Sequence, residues 1–230
     1  MKKTYLIILA AFFTFVSCFS INTVFEREKE VSSKNYRSKY NVVIDAGHGG
    51  LDAGTIGIDG TEEKIINLSI AKMLYDYLMI SGIRCYFTRD GDYLVYGKND
   101  DTSRSDLYNR MDFINSIDNS ALISIHQNHY ESEAEWGMQI WYSANNKESK
   151  IMAQSIADTS SNFLHNDNNR QCKESDDSYY LLYKAKVPSV MVECGFMSNT
   201  DENRKLQTEN YQKNLAYSIM VGFNEFLTNS

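Results

Sequence analysis

Basic charge is what this sequence most lacks. Its 23 Lys and Arg residues stand against 30 Asp and Glu, a formal net charge of -7. Nucleic-acid recognition shows as a basic patch, and the one grouping of Lys and Arg is a small cluster at 34–39. Nucleic acid is therefore set aside as a partner. Paired cysteines are lacking too. Of the four, Cys18 belongs to the N-terminal segment, and Cys85, Cys172 and Cys194 are an odd number without paired spacing. The chain is not a disulfide scaffold. Cys85 and Cys194 sit in apolar, strand-like runs and read as buried thiols. No repeat recurs, and no apolar run is comfortably long enough to span a membrane.

What is present begins with a targeting segment at 1–20. Lys2 and Lys3 precede an apolar run at 5–16, followed by the small residues Ser17, Cys18 and Ser20. This is the order of a cleaved signal peptide; the alternative is a retained N-terminal anchor. Phe15-Val16-Ser17-Cys18 resembles a lipoprotein box weakly, and lipidation is the lesser expectation. Residues 21–40 are polar and charged without an apolar period and read as a linker. From 41 to 230 the texture is that of one globular domain. The whole chain is 43% hydrophobic and 23% charged, enough to bury a core.

Within that domain strands alternate with helices. Val42-Val43-Ile44 is an apolar run entering a glycine-rich turn. Ile66, Ile70, Met73, Leu74, Tyr77 and Leu78 repeat at helical spacing. A strand is expected over 83–88, and a helix from Ser103 with a capping-box-like Asp106 and a core face of Leu107, Met111 and Ile114. Strands are expected at 121–125 and 138–142, then a helix carrying Met152, Ile156 and Phe163, then a polar loop through Asp177. A strand at 190–194 follows the single proline, Pro188, and an amphipathic helix at 210–227 closes the chain. This alternation predicts a single three-layer α/β/α domain with a mostly parallel sheet.

Open α/β sheets place their sites beyond the carboxyl ends of the strands. His48, His126 and Glu193 each fall at such an end, and Glu63 opens the first helix. Two imidazoles and a carboxylate suffice for catalytic zinc with one position left for water. A free carboxylate nearby would then move the proton that an amide leaving group needs. Each residue also has an ordinary reading. His48 could cap a turn, and Glu62 and Glu63 could simply favour the positive end of the helix dipole. His129 competes with His126 as the ligand. Glu193, directly after Val-Met-Val, is the sharpest signal, because buried carboxylates are rare unless paired or functional. By default Arg89 and Asp90 form an ion pair, His165 lies at the surface, and the Tyr-rich run 179–183 belongs to the core rather than to a sugar platform.

Four blocks together resemble the zinc-dependent N-acetylmuramoyl-L-alanine amidases. They are Val-Val-Ile-Asp-Ala-Gly-His-Gly-Gly-Leu-Asp-Ala-Gly from Val42 to Gly54, Gly60-Thr61-Glu62-Glu63-Lys64, Ser124-Ile125-His126-x-Asn128, and Val192-Glu193-Cys194-Gly195-Phe196-Met197-Ser198-Asn199. A further block, Thr88-Arg89-Asp90, supports them. Ala46 stands where the family commonly has proline, and His129 where it has a small residue. The resemblance covers nearly all of 42–226 and implies a sheet of about six strands. It also implies one Zn2+ held by His48, Glu63 and His126, with Glu193 as general acid/base. It leaves Arg89, Arg110, Asn128 and His129 as residues near the substrate or behind the ligands.

Within the family the chain is similar to the germination-specific amidases of endospore formers: one compact catalytic domain with no wall-binding repeats. That similarity implies peptidoglycan as substrate, cortex maturation toward muramic-δ-lactam as the setting, and a location outside the cytoplasmic membrane in the wall or spore intermembrane space. With no inhibitory insert between 90 and 124, control is expected from an activating protein partner that stabilises the zinc site. Two rival readings are a zinc peptidase acting within the stem peptide and a non-catalytic wall-binding homologue.

Overall fold

The computed structural model describes residues 38–95, 103–164 and 167–229. The targeting segment, most of the expected linker, His165 and the side chain of Ser103 lie outside the described residues. Strand β1 is Asn41–Ala46 and helix α1 is Glu63–Ile80. Strand β2 (Cys85–Phe87) is followed by α2 (Ser103–Ser116) and β3 (Ser120–Asn128). Next come β4 (Gln139–Tyr142), α3 (Lys147–Leu164) and the short β5 (Lys173–Glu174). A five-residue helix α4 (Tyr180–Lys184), β6 (Ser189–Phe196), α5 (Thr200–Leu206) and α6 (Glu209–Asn229) complete the chain.

The six strands form one sheet in the order β2-β1-β3-β6-β4-β5. Every pairing is parallel except that of β4 with β6. Strand parity divides the core. Val42, Ile44, Ile123, Ile125, Val190 and Val192 face α1, α3 and α6 in the large cluster. Val43 and Leu122 face the opposite way, against Met111 and Ile114 of α2 and Leu181 of α4. The result is the three-layer α/β arrangement, with one thick and one thin helical layer. Among the described residues no helix is long and apolar enough to cross a membrane.

Several expectations need correction. β3 and β6 run on past His126 and Glu193, because backbone pairing continues to Asn128 and Phe196. Both residues therefore lie inside strands rather than at their ends. Leu107 and Phe163 are exposed, not core; Leu107 lies where the thin layer leaves the sheet open, and Phe163 packs edge-on against Tyr217 on the outer surface. Asp106 accepts from Val95 N and Arg110 Nε; the expected capping box with Ser103 lies outside the described residues. At the start of the domain, Tyr40 stacks on Phe226 at 5.9 Å and bonds Glu148, so the expected linker's last residues pack on the fold.

The region read as a polar loop through Asp177 holds β5, and the Tyr-rich run after it forms α4, which went unread. Helix α5 went unread as well. It is capped by the Asn199 side chain, which accepts from the backbone N–H groups of Asp201 and Glu202.

Candidate metal centre and active site

The turn after β1 is shaped by glycine. His48, Gly49 and Gly50 have φ of 63°, 137° and 56°, and Gly49 and Asp52 exchange backbone hydrogen bonds at 2.9 and 3.0 Å. A histidine in the left-handed region is strained. The reversal brings the Asp52 carboxylate back to His48 Nδ1 at 2.9 Å, which turns Nε2 toward Glu63 Oε2 at 3.3 Å.

Glu63 opens α1, where the helix dipole favours its charge. Its Oε2 accepts from Thr55 N, and its Oε1 accepts from Gln127 N and from Asn67 Nδ2. Oε1 also lies 3.1 Å from His126 Nδ1. Burial alone would raise this carboxyl's pKa, but the two histidines outweigh it and hold it well below the carboxylate range. Burial likewise opposes charge on His48, yet Asp52 and Glu63 push its pKa up to about 10.

His48, Glu63 and His126 thus offer three donor atoms within 4.8 Å of one another. Two neighbours keep room around them. A Cβ on Gly47 would sit 2.2 Å from the His126 ring, and one on Gly54 would sit 2.6 Å from both Glu63 Oε2 and His48 Cδ2. This glycine-walled cradle of two imidazoles and a buried carboxylate fits a zinc ion by donor chemistry.

Glu193 lies beside it. It pairs in register with His126 across the β3–β6 ladder, so both side chains share the thin face of the sheet. Burial holds its carboxyl up at about 7, and Oε2 has no hydrogen-bond partner among the described residues. An unsatisfied buried oxygen is free to exchange a proton with something bound in front of it.

The two arginines stand behind the turn. Arg110 Nη1 donates to Asp45 Oδ1 and to Ala46 O, both at 2.8 Å, and Nη2 to His48 O at 2.6 Å. Arg89 Nε donates to Ala46 O, and its Nη2 to Gly47 O and Lys64 O. Both are 1% exposed, so neither faces substrate; together they clamp the backbone that carries His48. The expected Arg89–Asp90 pair does not form, since Asp90 accepts instead from the Tyr93 hydroxyl. His129 is exposed and outside the cluster. Asn128 accepts from His129 N and, through its carbonyl, from Met197 N, which ties β3 to the segment after β6. Glu62 pairs with Lys64 at the surface.

Asp52, Gly47, Gly54, Asn67 and Gln127 were missed as site residues. Of these, Gly47, Asp52 and Gly54 stood in the block around His48, though none was given a role.

In charge and donor type this is the arrangement a metal-assisted hydrolase requires. The family description "N-acetylmuramoyl-L-alanine amidase" matches residues 42–225. The germination-specific N-acetylmuramoyl-L-alanine amidase of Bacillus subtilis is 32% identical over 81% of this chain and 79% of its own. Escherichia coli AmiA is 26% identical over 83% and 77%. Among solved structures, the CwlD amidase of Clostridioides difficile in complex with the GerS lipoprotein superposes with a TM-score of 0.78. It is 34% identical and covers 83% of this chain and 100% of that one. The chain belongs to the N-acetylmuramoyl-L-alanine amidases, the peptidoglycan hydrolases that cut between N-acetylmuramic acid and L-alanine.

Proposed function

We propose that the chain is a zinc-dependent member, with His48, Glu63 and His126 as ligands and Glu193 as general acid/base, and with 41–230 as its catalytic domain. The observation that carries this is the unsatisfied Glu193 oxygen one strand away from the three converging donors. Zn2+ bound there would polarise the scissile carbonyl and acidify water. Glu193 would take a proton from water and return it to the alanine nitrogen, a role suited by a carboxyl held near neutrality. Asp52 fixes the His48 tautomer and ring orientation.

The setting we infer is spore-cortex maturation toward muramic-δ-lactam, outside the cytoplasmic membrane and reached by way of the N-terminal segment. The similarity to a germination-specific amidase supports it. The GerS complex of a relative supports an activating protein partner.

Residues 26–230, saturated with zinc, should release N-terminal alanine from purified peptidoglycan, and Glu193→Gln should release less by a factor of about 10²–10⁴ with its zinc content intact. Release of an internal amine instead would make the protein a stem peptidase. Full activity of the variant would remove Glu193 from the mechanism, and wild-type binding without any cleavage would point to a wall-binding protein. Spores lacking the protein should lack muramic-δ-lactam; unchanged lactam would sink the cortex role.

A further inference from the structure

Beside His126 lies a recess of about 160 Å³. Sheet register sets its floor. Ser124, Met191 and Trp141 occupy one rung, two residues along their strands from the rung of His126, Glu193 and Gln139 on the same face. Leu107 of α2 and the chain from Ser178 to Leu182 form its walls, and among the described residues no Asp, Glu, Lys or Arg lines it. A second recess, of about 170 Å³, shares His126, Leu107 and Leu181 with the first. Behind it Asp45 and Asp106 are buried and paired with Arg110, and Asp52 is the charged side chain that it exposes. The reacting centre therefore stands between an uncharged recess and a charged one.

The two halves of the scissile linkage differ in how well they suit an uncharged wall. On the acyl side is a muramic acid, an uncharged pyranose in the glycan, with C–H faces, an N-acetyl group and a lactyl ether. On the amine side is a peptide bearing carboxylates. Burying a carboxylate where nothing pairs with it is costly, whereas C–H surface gains by leaving water for an apolar wall. A cavity of about 150 Å³ can hold a benzene ring, so the recess has room for one six-membered ring.

We propose that this recess is the muramic-acid subsite, with Tyr179 as its stacking face. The assignment rests on the amidase reading. Tyr179 is suited to the task because its ring is already fixed, packed on Trp141 with centroids 4.7 Å apart. Trp141 is in turn covered by the Lys173 ammonium at 5.1 Å. A ring held in place loses little freedom on binding. In the sequence this tyrosine run reads as core, but the fold buries Leu181 and Leu182 and turns Tyr179 and Tyr180 to the recess.

The test compares two substrates, an N-acetylmuramoyl tripeptide and an N-lactoyl tripeptide without the sugar. Tyr179→Ala should raise KM for the first about tenfold with kcat within about twofold, and leave the second unchanged. Tyr179→Phe, which keeps the ring, and Tyr183→Ala, which lies outside the recess, should match the wild type. Equal losses on both substrates, or none on either, would overturn the subsite. Independently, titrating the zinc-loaded protein with the primary amide of N-acetylmuramic acid, which carries no free carboxylate, should shift the amide resonances of 178–182, and L-alanyl-D-glutamate should not. The reverse pattern would assign the recess to the peptide. Should the wild type cleave neither substrate, the amidase reading fails, and the titration still decides what the recess binds.

Discussion

Arg110 and Asp45 form an ion pair at 2.8 Å with both side chains 1% exposed, and the same guanidinium holds the carbonyls of Ala46 and His48. Helix α2 is thereby tied to the turn that presents the first candidate ligand. Arg110→Ala would leave a buried carboxylate unpaired, at a cost of about 3–5 kcal/mol. Arg110→Lys keeps the charge without the fork and should fall between. Urea unfolding of the three proteins ranks them; an Ala variant as stable as wild type would contradict the clamp.

Asp45 should also shape acid sensitivity. Burial alone would raise its pKa, but Arg110 and the hydroxyls of Ser124 and Thr88 outweigh that and hold it below the ordinary 3.8. A carboxyl that binds its proton more weakly when folded adds stability that is complete above the unfolded value and disappears as pH falls toward the folded one. Between about pH 5 and pH 2 the wild type should lose stability faster than Asp45→Asn, by up to about 1.4 kcal/mol per pH unit. Parallel curves for the two proteins would deny Asp45 this role.

Gly47 and Gly60 make a paired test. A methyl at 47 would strike the His126 ring, while one at 60 meets nothing within 4 Å, although φ there is +88°. Gly60→Ala should cost only the backbone strain, about 1–2 kcal/mol, and keep amidase activity. Gly47→Ala should remain folded by circular dichroism and lose activity by about 100-fold or more, in line with the cost of a 1 Å misplacement. Similar activity in both variants would show that the cradle tolerates the added atom.

The ligand assignment is read by thermal unfolding of metal-stripped protein. Zinc at about 100 times its dissociation constant should add about 2.7 kcal/mol. His48→Ala, Glu63→Ala and His126→Ala should abolish that increment, and His129→Ala should retain it. Loss of the increment in His129→Ala alone would exchange the two histidines.

How far the sequence foretold this molecule depends on what each residue answers to. The runs Val42-Val43-Ile44 and Val190-Met191-Val192 announce central strands, because strands buried on both faces must be continuously apolar. Glu193 was legible for the same reason, as one carboxylate breaking such a run. Asp52 was not, since its meeting with His48 depends on three successive positive φ values that no hydrophobic period encodes. Arg89 was misread as half of an ion pair with its neighbour, because its partners are backbone carbonyls supplied by distant segments. Helix α4, at five residues, is too short to show a period, and so the wall of the uncharged recess stayed hidden.

β6 is the last strand to be made, yet it pairs with β3 at the centre of the sheet. Glu193 therefore reaches its place only once the chain as far as Phe196 has been synthesised and β6 has paired with β3. Non-local pairing of this kind is slow relative to helix formation. A chain ending before β6 carries the candidate ligands His48, Glu63 and His126 without the Glu193 carboxylate. On the reading proposed above, the metal-binding half of the site and its acid/base half are thus encoded in separate stretches of the chain, and only a chain that includes β6 carries both.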